Sequence, residues 1–325
     1  MLPVHQRRKG FCSDSSVFEK SLLRNYNSLR ARHLKTIAFR KANKIAEAIE
    51  LCHQTLQIDA FDFGTHYELA LCHYQQGQQA LAEATIQRLK DMMQQRVYTF
   101  TEIAHQYAEA GLWQEAIAFL ELCDSTDALI SYYKGYYELR AARPEAASLH
   151  FNQASGEEIE TGFINRIEDV LVLQSAVAFN REDYKAWYHL GNYYYAKQMY
   201  AAARETWENA ISINPAFPTA LRNLGIAYFN KFDKKPEALE LYQQAFAADE
   251  TDARILFELD QLKKRFRISP GDRRAFLEQY IELVYQRDDL LIEFINLQTI
   301  TGNINKALEM IQGHHFHPWE GGEGK

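Results

Sequence analysis

Proline and glycine are scarce, at 7 and 15 in 325 residues. Folds made of short strands and tight turns need more of both, so long helices are expected instead. Cysteine is scarcer still. Cys12, Cys52, Cys72 and Cys123 form no Cys-x-x-Cys pair, and three of them fall inside helical patterns where small apolar residues belong. They read as buried thiols in a reducing compartment, and the expected address is cytoplasmic. No apolar stretch approaches the length of a membrane span. The cluster Arg7-Arg8-Lys9 is followed by Cys12-Ser13-Asp14-Ser15-Ser16, where an export signal would have its apolar run. Also absent are a Gly-rich phosphate loop, an HExxH pair and a Ser-His-Asp grouping near a strand. The sequence names no catalytic residue, no metal ligand set and no cofactor, and the chain is read as a non-enzyme.

What is present is apolar surface and a mild acidity: 47% hydrophobic residues and a net charge of −7. The charge is uneven. Residues 1–45 hold eleven Lys and Arg against Asp14 and Glu19. Arg24, Arg30, Arg32 and Lys35 read as a solvated helix face, since no aromatic-basic motif accompanies them, and nucleic acid is not the expected partner.

The main signal is a repeat. With Tyr184 as position 1, Trp187 stands at 4, Leu190 at 7, Gly191 at 8, Tyr194 at 11, Ala203 at 20, Trp207 at 24, Ala210 at 27 and Pro215 at 32. Small residues at 8 and 20 let two antiparallel helices approach, and the large ones fill the space around that contact. The next unit starts at Pro218, with Leu221, Leu224, Gly225 and Tyr228 in the same places. The position-20 alanines run Ala48, Ala82, Ala116, Ala147, Ala203 and Ala238, at spacings of 34, 34, 31, 56 and 35. This pattern resembles the tetratricopeptide repeat. The expected fold is therefore all-α, a right-handed superhelix (α-solenoid) of antiparallel helix pairs with about fifteen helices. The expected organisation is a poorly ordered segment 1–20, an N-terminal array 21–154 and a break with a single helix over 155–183. A C-terminal array 184–312 and a Gly-rich tail 313–325 follow. The irregularity centres on 155–163, with Pro270-Gly271 read as a turn and Arg273–Gln286 as one helix.

Residues 185–325 also resemble large bacterial tetratricopeptide proteins that carry a mutarotase-like β-sandwich ahead of the repeats. The matching strings are Leu190-Gly191-Asn192, Arg222-Asn223-Leu224-Gly225, Glu258-Leu259-Asp260-Gln261-Leu262, Arg287-Asp288-Asp289-Leu290 and His315-Phe316-His317-Pro318-Trp319-Glu320-Gly321-Gly322-Glu323-Gly324. The resemblance implies a carbohydrate-related role. No strand-rich region occurs in the chain, so it is expected to be the repeat portion only, a fragment or a shortened relative.

Two sets of candidate site residues follow. Positions 2, 5, 9 and 12 of the first helix of each repeat should line the concave face. These are Lys185, Tyr188, Asn192 and Tyr195, then Arg222 and Phe229, with Asn223 at position 6. Asn192 and Asn223 fit the places where carboxylate-clamping repeats keep asparagines, and Arg222 adds a bidentate donor, although Tyr188 replaces the clamp lysine. The tail supplies His315, His317, Trp319, Glu320 and Glu323, a mixture able to order around a polar ligand or sugar. The tyrosines at 132, 133, 136, 137 and 193–195 read mainly as packing residues, and Asp288 as a helix N-cap. The leading function is a protein-interaction scaffold that holds a protein or peptide in its groove. The alternative is the helical part of a carbohydrate-active protein whose β-sandwich lies elsewhere.

Overall fold

The computed structural model describes residues 15–159 and 164–317. Among these the chain is helices joined by short turns, with no strand. It divides into two compact units, Met1–Gly162 and Phe163–Lys325. The first holds α1 (Ser15–Arg24), α2 (Leu29–Lys41), α3 (Ile45–Ile58), α4 (Phe63–Gln75), α5 (Gln79–Met93), α6 (Val97–Glu109), α7 (Trp113–Leu120), α8 (Ala128–Arg140) and α9 (Pro144–Gly156). The second holds α10 (Ile167–Phe179), α11 (Tyr184–Ala196), α12 (Tyr200–Ile213), α13 (Pro218–Lys231), α14 (Lys235–Ala248) and α15 (Ala253–Arg265). It continues with α16 (Pro270–Glu278), α17 (Ile281–Val284), α18 (Asp288–Ile300) and α19 (Ile304–Gly313).

Consecutive helices pack as pairs: α2 on α3, α4 on α5, α6 on α7 and α8 on α9, then α11 on α12, α13 on α14 and α18 on α19. The leading helix of many pairs is started by an aspartate. The Asp62, Asp183 and Asp252 carboxylates accept from backbone N–H groups at 2.7, 3.0 and 2.7 Å. The turn inside a pair needs a residue in the left-handed region. Gly77 and Gly111 take it at φ +75 and +77 without a Cβ penalty, whereas Ala142 and Gln198 hold φ near 60 against one. Ala48, Ala82, Ala116, Ala147, Ala203 and Ala238 are all fully buried, as the packing argument requires. A Cβ built on Gly191 would collide with the Trp207 indole, and one on Gly225 would reach Tyr242 at 2.9 Å. Gly135 makes the same close approach to Phe151, at 2.8 Å for an added Cβ. Its spacing to Ala147 equals that from Gly191 to Ala203, a signal present in the sequence.

Several expectations need correction. The described residues hold nineteen helices rather than about fifteen. One addition is α1, which starts at Ser15 within the segment read as poorly ordered. Another comes from Pro270, which does not turn the chain but opens α16. Ser269 caps the helix by accepting from Asp272 N–H at 3.1 Å, and proline at the first helical position loses no intrahelical bond. The helix expected over 273–286 then breaks at Gln279 and Tyr280 and restarts as α17. Arg32 does not share the solvated face assigned to it. It is 1% exposed, donates to Tyr26 O at 2.8 Å and lies over the Tyr26 ring. Between α9 and α10 the helical pattern stops at Gly156, where the irregularity is expected, and residues 160–163 fall outside the described residues. After it α10 packs on α11, with Ala176 fully buried.

Candidate functional site

Of the candidate residues, Tyr188, Asn192, Arg222 and Asn223 are brought together by α11 and α13 in the second unit. Asn192 and Asn223 project from α11 and α13, and Asn223 Nδ2 donates to Asn192 Oδ1 at 3.0 Å. The Trp207 indole N–H, from α12, donates to the same oxygen at 3.2 Å. The indole N–H is shared with Tyr188 O at 3.3 Å, and together with the Asn223 amide it places the Asn192 oxygen toward both donors and turns the Asn192 amino group the other way. Arg222 Nη1 donates to Asn223 Oδ1 at 3.1 Å, completing a relay from Arg222 through Asn223 to Asn192. The relay ends on Asn192 Nδ2, a half-buried amide donor.

Behind it, Arg222 is already engaged. Its Nε and Nη2 donate to the Glu258 carboxylate at 2.6 and 2.5 Å, and Tyr242 and Arg254 add bonds of 2.9 and 3.1 Å. Burial alone would push the Glu258 carboxyl up. The two bonds and the charge from Arg222, with those of Tyr242 and Arg254, outweigh burial and hold it below its ordinary value. The guanidinium read as a donor for a ligand carboxylate thus carries an internal one.

The other groove residues mix packing with exposure. Tyr188 lies edge-on to Phe217 at 4.9 Å, and its hydroxyl is 3.5 Å from Asn223 Nδ2. Tyr195 packs on Trp207 at 5.4 Å, and burial raises its phenol above the ordinary value. Lys185 is half-buried on α11. Burial, helped by the Lys185 charge, pushes the neighbouring His189 down to about 4, so its ring is neutral at pH 7. Phe229 lines a cavity of about 220 Å³ with Ile226, Phe257, Gln261 and Arg265. Phe257, Glu258 and Arg265 were not singled out in the sequence. Glu258 is the sixth residue of α15, as Asn223 is of α13, but phase does not tell a paired glutamate from a solvated one.

The tail behaves differently from expectation in its described part. Asp288 does not cap its own helix, a place held by Arg287. Its carboxylate accepts from His314 Nε2 at 2.9 Å, His317 N at 2.7 Å and His317 Nδ1 at 3.1 Å. These bonds hold its carboxyl at about 2. Phe316 packs on the core beside them, and His315 stays exposed. Trp319, Glu320 and Glu323 lie outside the described residues. Among the described residues no three His, Cys, Asp or Glu side chains group closely enough to hold a metal ion.

Two buried networks lie outside the groove. In the first unit Arg40 donates to Glu68 at 2.6 and 3.0 Å, Tyr107 donates to Glu68 at 2.7 Å, and His33 meets the Tyr107 hydroxyl at 3.1 Å. In the second, Arg273 donates to Asp260 and also to Glu293 at 2.7 Å. Asp260 is the eighth residue of α15, where the repeat wants a small side chain. The ion network replaces the close helix approach, which explains why the pattern fades after residue 250. Of the tyrosines, Tyr132, Tyr133 and Tyr137 are fully buried packing residues.

Each unit is thus all-α among the described residues and built of packed consecutive helices. Residues 191–231, which carry Asn192, Arg222, Asn223 and Phe229, match the TPR repeat family. Solved structures with similarity include Cut9–Hcn1 of the APC/C, at 15% identity, TM-score 0.35, covering 88% of this chain and 52% of that one. The chain therefore spans about half the length of that relative. YrrB, a TPR protein with an unusual peptide-binding site, matches at 15% identity and TM-score 0.28, covering 74% of this chain and 95% of that one. PilF of Pseudomonas aeruginosa matches at 15% and 0.37, covering 66% and 88%. These are distant likenesses. Among the described residues no helix is long and apolar enough to cross a membrane.

Proposed function

We propose that the α11–α13–α15 face is a peptide-binding groove and that the chain acts as a protein-interaction module. The observation that carries this reading is the orientation of Asn192. Trp207 and Asn223 both donate to its oxygen, which leaves the amino group aimed away from both of them as a fixed donor. A pre-oriented donor on an aromatic-lined face suits a main-chain carbonyl of an extended peptide, because no side-chain entropy is lost on binding. Tyr188 and Phe229 supply apolar walls on either side. Nothing in this arrangement moves a proton or activates a nucleophile, so the reading is binding without chemistry.

The test is selection of a displayed random peptide library on the wild-type protein and on Asn192→Asp. That change keeps the shape and replaces the donor by a carboxylate. Wild type should enrich peptides that Asn192→Asp fails to hold, a loss on the order of 1–3 kcal/mol. Equal enrichment by both proteins would remove Asn192 from the site, and no enrichment by wild type would remove the groove.

A further inference from the structure

We propose that the groove's ligand is an acidic, extended segment internal to its own chain, which places one bulky apolar side chain in the slot between α13 and α15. This rests on the peptide-groove reading and adds the partner's chemistry. The slot is the cavity of about 220 Å³ floored by Ile226, Phe229 and Phe257. Three half-buried apolar side chains around a space of that size accept a side chain such as Phe or Leu.

One cation lines the slot, Arg265, in the last turn of α15; Lys263 and Lys264 share that turn and Arg267 follows it, with Lys264 and Arg267 lining a separate cavity beside Arg273 and Glu293. Two of these charges are engaged, Lys264 on Glu293 at 2.9 Å and Lys263 over the Phe276 ring at 3.0 Å. Arg265 is exposed, lies over Phe229 at 5.4 Å and has no carboxylate partner among the described residues. Arg267 is exposed as well and is in no ion pair among those residues. Cations at a helix end also favour the helix dipole, but that effect needs no slot beside them. Arg265 lines the slot itself, so an acidic residue flanking the inserted side chain meets an unpaired guanidinium at the rim.

Glu258 decides between an internal segment and a chain end. A terminal carboxylate held between Asn192 and Asn223 would take the Arg222 fork, whose Nε and Nη2 already donate to Glu258. Displacing a carboxylate held by Arg222, Tyr242 and Arg254 strips charge-assisted bonds that the newcomer would only replace in part. A segment that passes through, with its main chain on Asn192 and an acid on Arg265, meets no such competitor.

The experiment uses fluorescence anisotropy of short labelled probes with the full chain. The first probe has Glu and Gly around one central Phe, blocked at both ends; others replace Phe by Gly, replace Glu by Lys, or leave the carboxyl end free. The blocked Glu–Phe probe should bind, and the Gly and Lys probes should bind at least about tenfold more weakly. Arg265→Glu, an exposed change checked for fold by circular dichroism, should lose about tenfold, and the binding should weaken with salt. Binding of the free-carboxyl probe alone, preference for the Lys probe, no binding of the blocked probe, or indifference to Arg265→Glu each overturns the proposal. If Asn192→Asp loses binding while Arg265→Glu does not, the groove stands and only the acidic-segment inference falls. If neither variant changes the affinity of a probe that binds, both fall.

Discussion

In the first unit Arg40 grips Glu68, and in the second Arg222 grips Glu258, with two bonds each. Both glutamates are the sixth residue of a leading helix, and both arginines come from the leading helix before it. The side chains of Arg40 and Glu68 are 6% and 0% exposed, those of Arg222 and Glu258 14% and 22%. The cover makes the difference. Tyr107, with Tyr67 and Phe119 packed on its ring, closes the first pair off, whereas the second pair has the buried Tyr242 hydroxyl and Asn223 on it and the exposed Arg254 beside it. One placement thus gives a sealed strut in one unit and, in the other, a partly exposed pair bonded to Asn223.

The largest expected effect breaks the sealed pair. Arg40→Ala leaves Glu68 charged with no exposure and should cost about 3–5 kcal/mol, seen as a lowered midpoint in urea denaturation. Replacing both residues by apolar ones of similar size should recover most of that loss. A small effect for the single change would show that water reaches the pair and that the two units do not differ in this respect.

Next comes the small-residue contact. Gly191→Ala forces a methyl into the Trp207 indole and should destabilise by about 1–3 kcal/mol, read as a drop in Tm. Ala104 holds the corresponding place in the first unit, and its partner helix offers Leu120 instead of an indole. The reverse change there, Ala104→Gly, should cost about 1 kcal/mol through helix propensity. Equal costs would mean that the two contacts are packed alike.

Arg222→Ala should be milder than Arg40→Ala, about 1–2 kcal/mol by the same denaturation measurement, because solvent shares the Glu258 charge. Its clearer signature is on binding. Without Arg222 the Asn223 amide loses its donor, and the wild-type-selected peptides should bind more weakly.

Acid gives the most graded comparison. Burial lowers the His33 imidazole, with Glu68 and Asp62 opposing, and lowers His189 to about 4, with Lys185 adding to the fall. A histidine whose folded value is depressed binds its proton first in the unfolded chain. Its contribution is therefore fully present above the unfolded value near 6.5 and is lost as pH falls toward about 4 for His189. Tm should decline over that window, and His189→Asn should remove about 3 kcal/mol of that decline in stability across it. An unchanged slope would place the acid sensitivity at His33 and in the first unit.

The repeat was legible because close helix packing imposes a spacing that survives divergence. Gly191, Ala203, Trp207 and their counterparts can be read without knowing what surrounds them. Asn192 and Asn223 were legible as a pair for the same reason, being fixed by phase. Glu258 was missed, since a lone glutamate on a helix is indistinguishable from a solvated one until its partner is known. The Asp288 carboxylate was misassigned for a related reason: its sequence position suits a cap, and only the fold brings His314 and His317 to it.

The sequence by itself determined the helices, their pairing and the face of each that is buried, because these follow from local periodicity and side-chain size. Tertiary structure alone decided the charges. Whether an arginine is solvated like Arg265, sealed like Arg40 or occupied like Arg222 depends on which residues distant in the chain reach it, and on how much water remains. Coulomb energy varies severalfold with that local dielectric, and no spacing rule in the chain records it.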